Sequence, residues 1–210
     1  MLERIPRRER IDLVIAWLAI AVAFTIAGFN LLGGGIQPAF ALIAFLVSLL
    51  TVGVGFVLHE LAHKFTALHF GYWAEFRKDN QMLLIAVVLA AIAGVVFAAP
   101  GATVVYGDRI GRRENGLISA SGPATSLVLA LGFLILAVIP LGPLIQYIGL
   151  RGFQINAMIA AFNMLPVSVL DGRKVLAWNA AVFAVLIVAA FALTYVALAP
   201  GVLGQLSSIF

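Results

Sequence analysis

A chain of 210 residues that is 63% hydrophobic and 10% charged, with a mean hydropathy of +1.12, excludes an ordinary water-soluble domain and describes a multi-pass membrane protein. It contains no Cys, so disulfides and thiolate metal sites are excluded, and any metal must be held by His, Asp or Glu. The net charge of +4 comes largely from Arg and Lys clusters beside apolar runs, which points to membrane orientation and anionic headgroups and to no nucleic-acid partner.

In chain order, "MLERIPRRER" is basic but lacks a small-residue cleavage site before its apolar run, so it reads as the cytoplasmic lead of a retained first span. A hydrocarbon core of about 30 Å takes roughly 20 helical residues. Runs of that order predict spans at 11–32, 40–70, 116–139, 144–167 and 176–198, with a further apolar stretch at 82–99. Gly and Pro interrupt the pattern at "LLGGGIQP", "AAPGA", "IPLGP" and "LAPG", which are turn or re-entry points. The sequence has no fixed-period repeat and no low-complexity tract.

Basic residues cluster at the N-terminus, at Arg77 and Lys78, at Arg109, Arg112 and Arg113, and at Arg173 and Lys174, whereas the loops at 33–39 and 140–143 carry none. The positive-inside bias puts all four groups in the cytoplasm. Both flanks of 82–99 are then cytoplasmic, so 82–106 is predicted to enter the membrane and return, with the β-branched "PGATVVY" as an extended return. Such backbone is tolerated at membrane depth only where it is buried in protein or lines a wet cavity. Arg151 lies near the outer end of its span, from which it can snorkel. The expectation for residues 1–210 is a single all-α polytopic membrane domain, with five to six transmembrane helices, a re-entrant segment and a short membrane-embedded β element.

Within the second span stands "GFVLHELAHKF". His59 and His63 are four residues apart, about 40° from each other around a helix, so their imidazoles can share an ion. Glu60 occupies the adjoining face, within reach of an activated water without being a ligand. A metal of this kind lowers the pKa of bound water and polarises a carbonyl, while the Glu moves the proton. Two of only three His at this spacing around a Glu, where each ionisable group is costly, favour metal binding over isolated polar residues. His69 falls on a different face and reads as interfacial, and Lys64 as a snorkelling residue.

A catalytic zinc takes three protein ligands. The available carboxylates are Glu3, Glu9, Asp12, Glu75, Asp79, Asp108, Glu114 and Asp171. All but Asp171 sit in polar, interfacial surroundings; Asp171 instead follows an apolar span in "FNMLPVSVLDGRKVL". An even number of crossings must separate His63 from Asp171 if both are to reach one ion, and the spans at 116–139 and 144–167 supply two. A third crossing at 82–99 would separate them, so charge bias and metal geometry require the same re-entrant segment. Otherwise Asp171 is a helix cap or a partner for Arg173.

"HELAH" in a span, "SGPATS" at 121–126 and "FNMLPVSVLDG", with its N-x-x-P-x-x-x-L-D-G spacing, together resemble the site-2 protease family of intramembrane zinc metallopeptidases (peptidase family M50). The three motifs stand in the family's order. The resemblance implies that His59, His63 and Asp171 bind one zinc ion, that Glu60 is the catalytic base, and that Asn163 contacts the substrate backbone. It also implies that Gly101, Ala102 and Thr103 of "PGATVVY" line the substrate path. Ala62 stands where many members have Gly, and "LDGRK" replaces the frequent double-Gly form. Asn156 and Asn163 share a helix face, as interhelical partners or as functional amides, and Gly122 and Pro123 permit close helix approach.

The expected protein is an intramembrane zinc metalloendopeptidase in the cell membrane, with its N-terminus cytoplasmic. It would cut transmembrane protein substrates near the cytoplasmic leaflet, in regulated intramembrane proteolysis. A membrane metal transporter would need further ligands along a path. A catalytically silent binding protein is the other alternative, against which the intact Glu60 argues.

Overall fold

The computed structural model describes residues 4–29, 38–94, 96, 100–107, 109–167 and 169–199. Glu3, Asp108, the Gly-rich turn at 33–37, residues 98 and 99 of "AAPGA" and the tail after 199 fall outside them.

Helix α1 (Arg7–Phe29) is the first long apolar element. It is followed by α2 (Pro38–Ser48), a π-helical turn (Leu49–Gly53) and α3 (Val54–His69), which form one continuous run corresponding to the predicted second span. A π turn leaves a carbonyl without its usual intrahelical partner. Trp17 of α1 supplies one, donating from Nε1 to Leu49 O at 2.8 Å. Gly53 makes room for that indole, because a Cβ there would overlap the Trp17 ring.

After α3 the chain turns through Gly71, in the left-handed region at φ 86°, into β1 (Trp73–Lys78). Helix α4 (Asn80–Ala93) comes next and then β2 (Gly101–Tyr106). Asp79 starts α4 by accepting from Gln81 N at 2.9 Å and Met82 N at 3.1 Å, and Gly94 ends it at φ 68°. The strands pair antiparallel, Trp73 opposite Tyr106 and Lys78 opposite Gly101, and Asp79 N donates to Pro100 O at 2.9 Å. The chain therefore leaves the ribbon at residue 79 and rejoins it at residue 100, next to its point of departure. A core of Leu13, Ala16, Ile20, Phe56, Phe76 and Leu83 ties α1, α3, β1 and α4 together.

Helices α5 (Arg112–Val138) and α6 (Pro143–Asn163) form an antiparallel hairpin. Gly149 and Gly152 admit the α5 backbone at Ala137 and the Phe133 ring, where a Cβ would collide. Helix α7 (Asp171–Trp178) and α8 (Ala180–Leu198) follow. The predicted span 176–198 begins later than expected: Asn179, at φ −149° and ψ 111°, breaks the helix and caps α8 with its side chain, so 176–178 belong to α7. An amide acceptor before an apolar helix satisfies orphan N–H groups that the preceding turn cannot.

Among the described residues, four helical stretches are long and apolar enough to cross a membrane: Arg7–Gly28, Ala41–His69, Arg112–Val138 and Ala180–Leu198. Helix α6 has the length, at 21 residues, but carries Gln146, Arg151, Gln154 and Asn156. Helix α4, at 14 residues, rises only about 21 Å.

Candidate metal centre

His59 and His63 lie one turn apart on the buried face of α3, and Asp171, the first residue of α7, arrives from across the α5–α6 hairpin. His63 Nε2 stands 3.1 Å from His59 Nε2 and 3.1 Å from Asp171 Oδ2, with His59 Nε2 3.4 Å from the same oxygen. A tetrahedral ion bound at about 2.0–2.1 Å spaces its ligands about 3.3 Å apart, so these three atoms stand where such an ion needs them. All three residues are buried.

The remaining ring nitrogens are also engaged. His63 Nδ1 donates to Ile118 O at 2.7 Å, which leaves the Nε2 lone pair facing the triad. His59 Nδ1 is 2.9 Å from Ser126 Oγ. Both partners belong to α5, which approaches α3 at Gly122: a Cβ there would lie 2.6 Å from His59 Nε2 and closer still to His63 Nε2. The predicted role of Gly122 in close helix approach thus has a specific object, the two imidazoles. Gly172 has a similar role beside Asp171, because a Cβ there would lie 2.8 Å from Leu165 O and closer to Met164 O. Asp171 is buried with the two imidazoles, and its Oδ2 faces both Nε2 atoms. The donor set is therefore two imidazole nitrogens and a carboxylate, which suits zinc.

Glu60 is buried beside them, and Thr103 of β2 holds its carboxylate: Thr103 N donates to Oε2 at 2.9 Å and Thr103 Oγ1 to the same oxygen at 2.8 Å. A cavity of about 340 Å³ opens here, lined by His59, Glu60, Pro100, Gly101, Phe162 and Asn163 among others. Asn163 also donates from Nδ2 to Ile159 O at 3.0 Å. Of the predicted substrate-contacting residues, Asn163 and Gly101 line this cavity and Thr103 touches Glu60. Ala102 differs. It faces Arg77 in the register, and strand alternation turns its peptide groups inward toward β1.

Two expectations are corrected. Lys64 does not snorkel: it is fully buried, with Nζ 2.5 Å from Glu9 Oε2 and 2.7 Å from Ala74 O. Glu9, expected in interfacial surroundings, is equally buried and accepts from Phe76 N at 3.0 Å. Charge pairing across elements lets both groups leave water. Of the other described carboxylates away from the triad, Asp79 caps α4, Glu75 pairs with Arg77, and Glu114 accepts from Tyr72 and Gly111 N. Asn156 bonds within its own helix, to Gly152 O at 2.8 Å, and not across helices. Ser126 and the Ile118 carbonyl were not singled out from the sequence. Ser126 stands in "SGPATS", and that motif was the one available signal.

No family model and no solved structure matches the chain. It is 42% identical over 183 residues to "Putative zinc metalloprotease MJ0611" of Methanocaldococcus jannaschii, covering 87% of this chain and 90% of that protein. It is 29% identical over 145 residues to "Putative zinc metalloprotease YwhC" of Bacillus subtilis, covering 60% of this chain and 66% of that protein. Identity of the first kind, along nearly all of both chains, means that this protein belongs to the zinc metalloprotease-like family of the archaeal relative.

Proposed function

We propose that the protein is an intramembrane zinc metalloendopeptidase of the site-2 protease family, hydrolysing peptide bonds of membrane-spanning substrates. The observation that carries the reading is the meeting of His59, His63 and Asp171 at one point beside the Glu60 carboxylate. The names of both relatives support it.

His59, His63 and Asp171 would hold one zinc ion, which when bound supplies Lewis-acid activation of water and of a carbonyl. Ile118 O and Ser126 orient the imidazoles, and the anionic Asp171 offsets the positive charge of the ion. Glu60 takes the proton of the attacking water on a carboxylate oxygen and delivers it to the leaving amine nitrogen. The mostly apolar cavity excludes bulk water, which strengthens each of these interactions. Asn163 and Gly101, on its wall, are positioned to meet the substrate backbone.

A transmembrane substrate satisfies its amides internally and must unwind before a carbonyl reaches the site. The outer edge of β2 can supply replacement hydrogen bonds. In this reading the basic end of the bundle is cytoplasmic and the protein lies in the cell membrane, with 82–106 entering the bilayer and returning. A transport path would require more ligands, whereas His59, His63 and Asp171 form the one group of ligating side chains found close enough to share an ion among the described residues.

The test is cleavage of a single-span model substrate in zinc-loaded proteoliposomes. Glu60→Gln is expected to lower the rate by about 10²–10⁴-fold while retaining zinc. Equal product from the two proteins refutes the mechanism.

A further inference from the structure

The two edges of the β ribbon are treated differently. In an antiparallel pair, peptide groups alternate between the partner strand and the outside. The Asp79–Pro100 bond fixes the phase, so Ala74 and Phe76 on β1, and Gly101, Thr103 and Val105 on β2, turn theirs outward. The β1 edge is occupied by side chains: Phe76 N donates to Glu9, Ala74 O accepts from Lys64, and Glu9 and Lys64 close on each other. No strand can add there. On the β2 edge the group engaged is Thr103, and its partner is Glu60, the residue assigned as general base. Thr103 Oγ1 also lies 3.1 Å from the Glu60 carbonyl oxygen.

We infer that this contact is a latch: the Glu60 carboxylate occupies the position on Thr103 N–H that a substrate carbonyl takes when an extended peptide adds to β2, and docking displaces it toward the metal centre. The inference rests on the proteolytic reading and makes Thr103 a positioning residue for Glu60. Geometry supports the exchange. Gly101, the neighbouring outward residue of β2, lines the same cavity as Glu60 and His59, so the edge opens where a scissile bond would lie. Energetics set its selectivity. Hydrogen bonds to a carboxylate are stronger than those to a neutral carbonyl, so a ligand offering one carbonyl leaves the latch closed. A strand that also pairs with Gly101 and Val105 gains several bonds at once and opens it. The base is then released only when an unwound segment long enough to span β2 is in place, which protects folded helices and short peptides.

Binding is measured first, on zinc-loaded Glu60→Gln and Glu60→Ala in detergent micelles, by anisotropy of a fluorescein-labelled ten-residue peptide of alternating Val and Ser. Neither variant has a carboxylate base, but Gln keeps an oxygen for Thr103 and Ala has none. The latch predicts at least about five-fold tighter binding by Glu60→Ala, the loss of roughly one competing hydrogen bond. Equal or weaker binding by Glu60→Ala overturns the latch and leaves strand addition standing, whereas no binding to either overturns both. In the second measurement, kcat is compared for the ten-residue peptide and for a blocked dipeptide amide too short to pair. Thr103→Val is expected to raise the short-to-long ratio at least about five-fold, and Thr103→Ser to return it to the wild-type value. An equal fall on both peptides, corrected by Ser, means that Thr103 only holds the base in place and overturns the latch. Wild type inactive on both peptides, with the binding difference intact, counts against proteolysis and supports the displacement.

Discussion

The imidazole of His63 has its tautomer fixed by a group that can only accept. Ile118 O accepts a hydrogen bond from Nδ1–H, and Nε2 is left as a lone pair toward the point shared with Asp171 and His59. Ser126, which can donate or accept, has the corresponding place at His59. Ser126→Ala is therefore expected to reduce zinc affinity by about 10–100-fold, the usual loss when an orienting partner of a ligand is removed. Competition against a chromophoric chelator measures it. Gly122→Ala is expected to do more harm, since its Cβ would lie 2.6 Å from His59 Nε2 and both imidazoles would have to move; near-full occupancy in that variant would contradict the packing described. His59, Glu60, His63 and Asp171 were legible in the sequence because ionisable groups in apolar runs are costly and stand out. Ser126 was not, because Ser and Gly recur in membrane helices for packing alone. Lys64 was misread because its partner Glu9 lies 55 residues away.

At the scale of elements, the Glu9–Lys64 pair joins α1, α3 and β1. Lys64 follows His63 directly on α3, and Glu9 reaches both Lys64 and the β1 backbone, so one buried ion pair sets the ribbon against the helix that carries the metal ligands. Removing one member of such a pair leaves the other charge buried and unpaired, at a cost of about 3–5 kcal/mol. Glu9→Ala and Lys64→Ala are each expected to lose stability in that range, measured by thermal unfolding in micelles. The double substitution should lose less than the sum, because the two share one interaction; strict additivity would mean that the pair is not coupled. The long helices were legible from their apolar runs, and β2 from "PGATVVY". Strand β1 was missed because "WAEFRK" reads as a polar loop, and its pairing partner stands beyond the α4 excursion. The break at Asn179 was missed because apolar residues on both sides hide a cap that acts through one amide.

The whole molecule turns on two returns of the chain. Residues 80–99 leave and rejoin the ribbon at the Asp79–Pro100 bond, and α5 and α6 run out and back, so Asp171 comes home to His59 and His63. Counting crossings along the sequence requires His63 and Asp171 to lie on one side of the membrane, since a third crossing at 82–99 would carry Asp171 away from the imidazoles. The β ribbon on which residues 79 and 100 meet is not legible in the sequence, because that pairing is made by backbone atoms. The proposed orientation follows from this closure together with the basic clusters, and the absence of Cys makes it testable, since each introduced thiol is a lone reporter. Arg8→Cys, Asn80→Cys and Arg113→Cys lie at exposed positions at the basic end, and Leu141→Cys in the α5–α6 turn is 55% exposed. With a membrane-impermeant maleimide on intact right-side-out vesicles, Leu141→Cys is expected to react at once, and the other three only after permeabilisation. The pair Asn80 and Arg113 is decisive because it brackets the excursion. Reaction of these two thiols from opposite sides would make 80–100 a true crossing, and no arrangement of α5 and α6 could then bring Asp171 to His63.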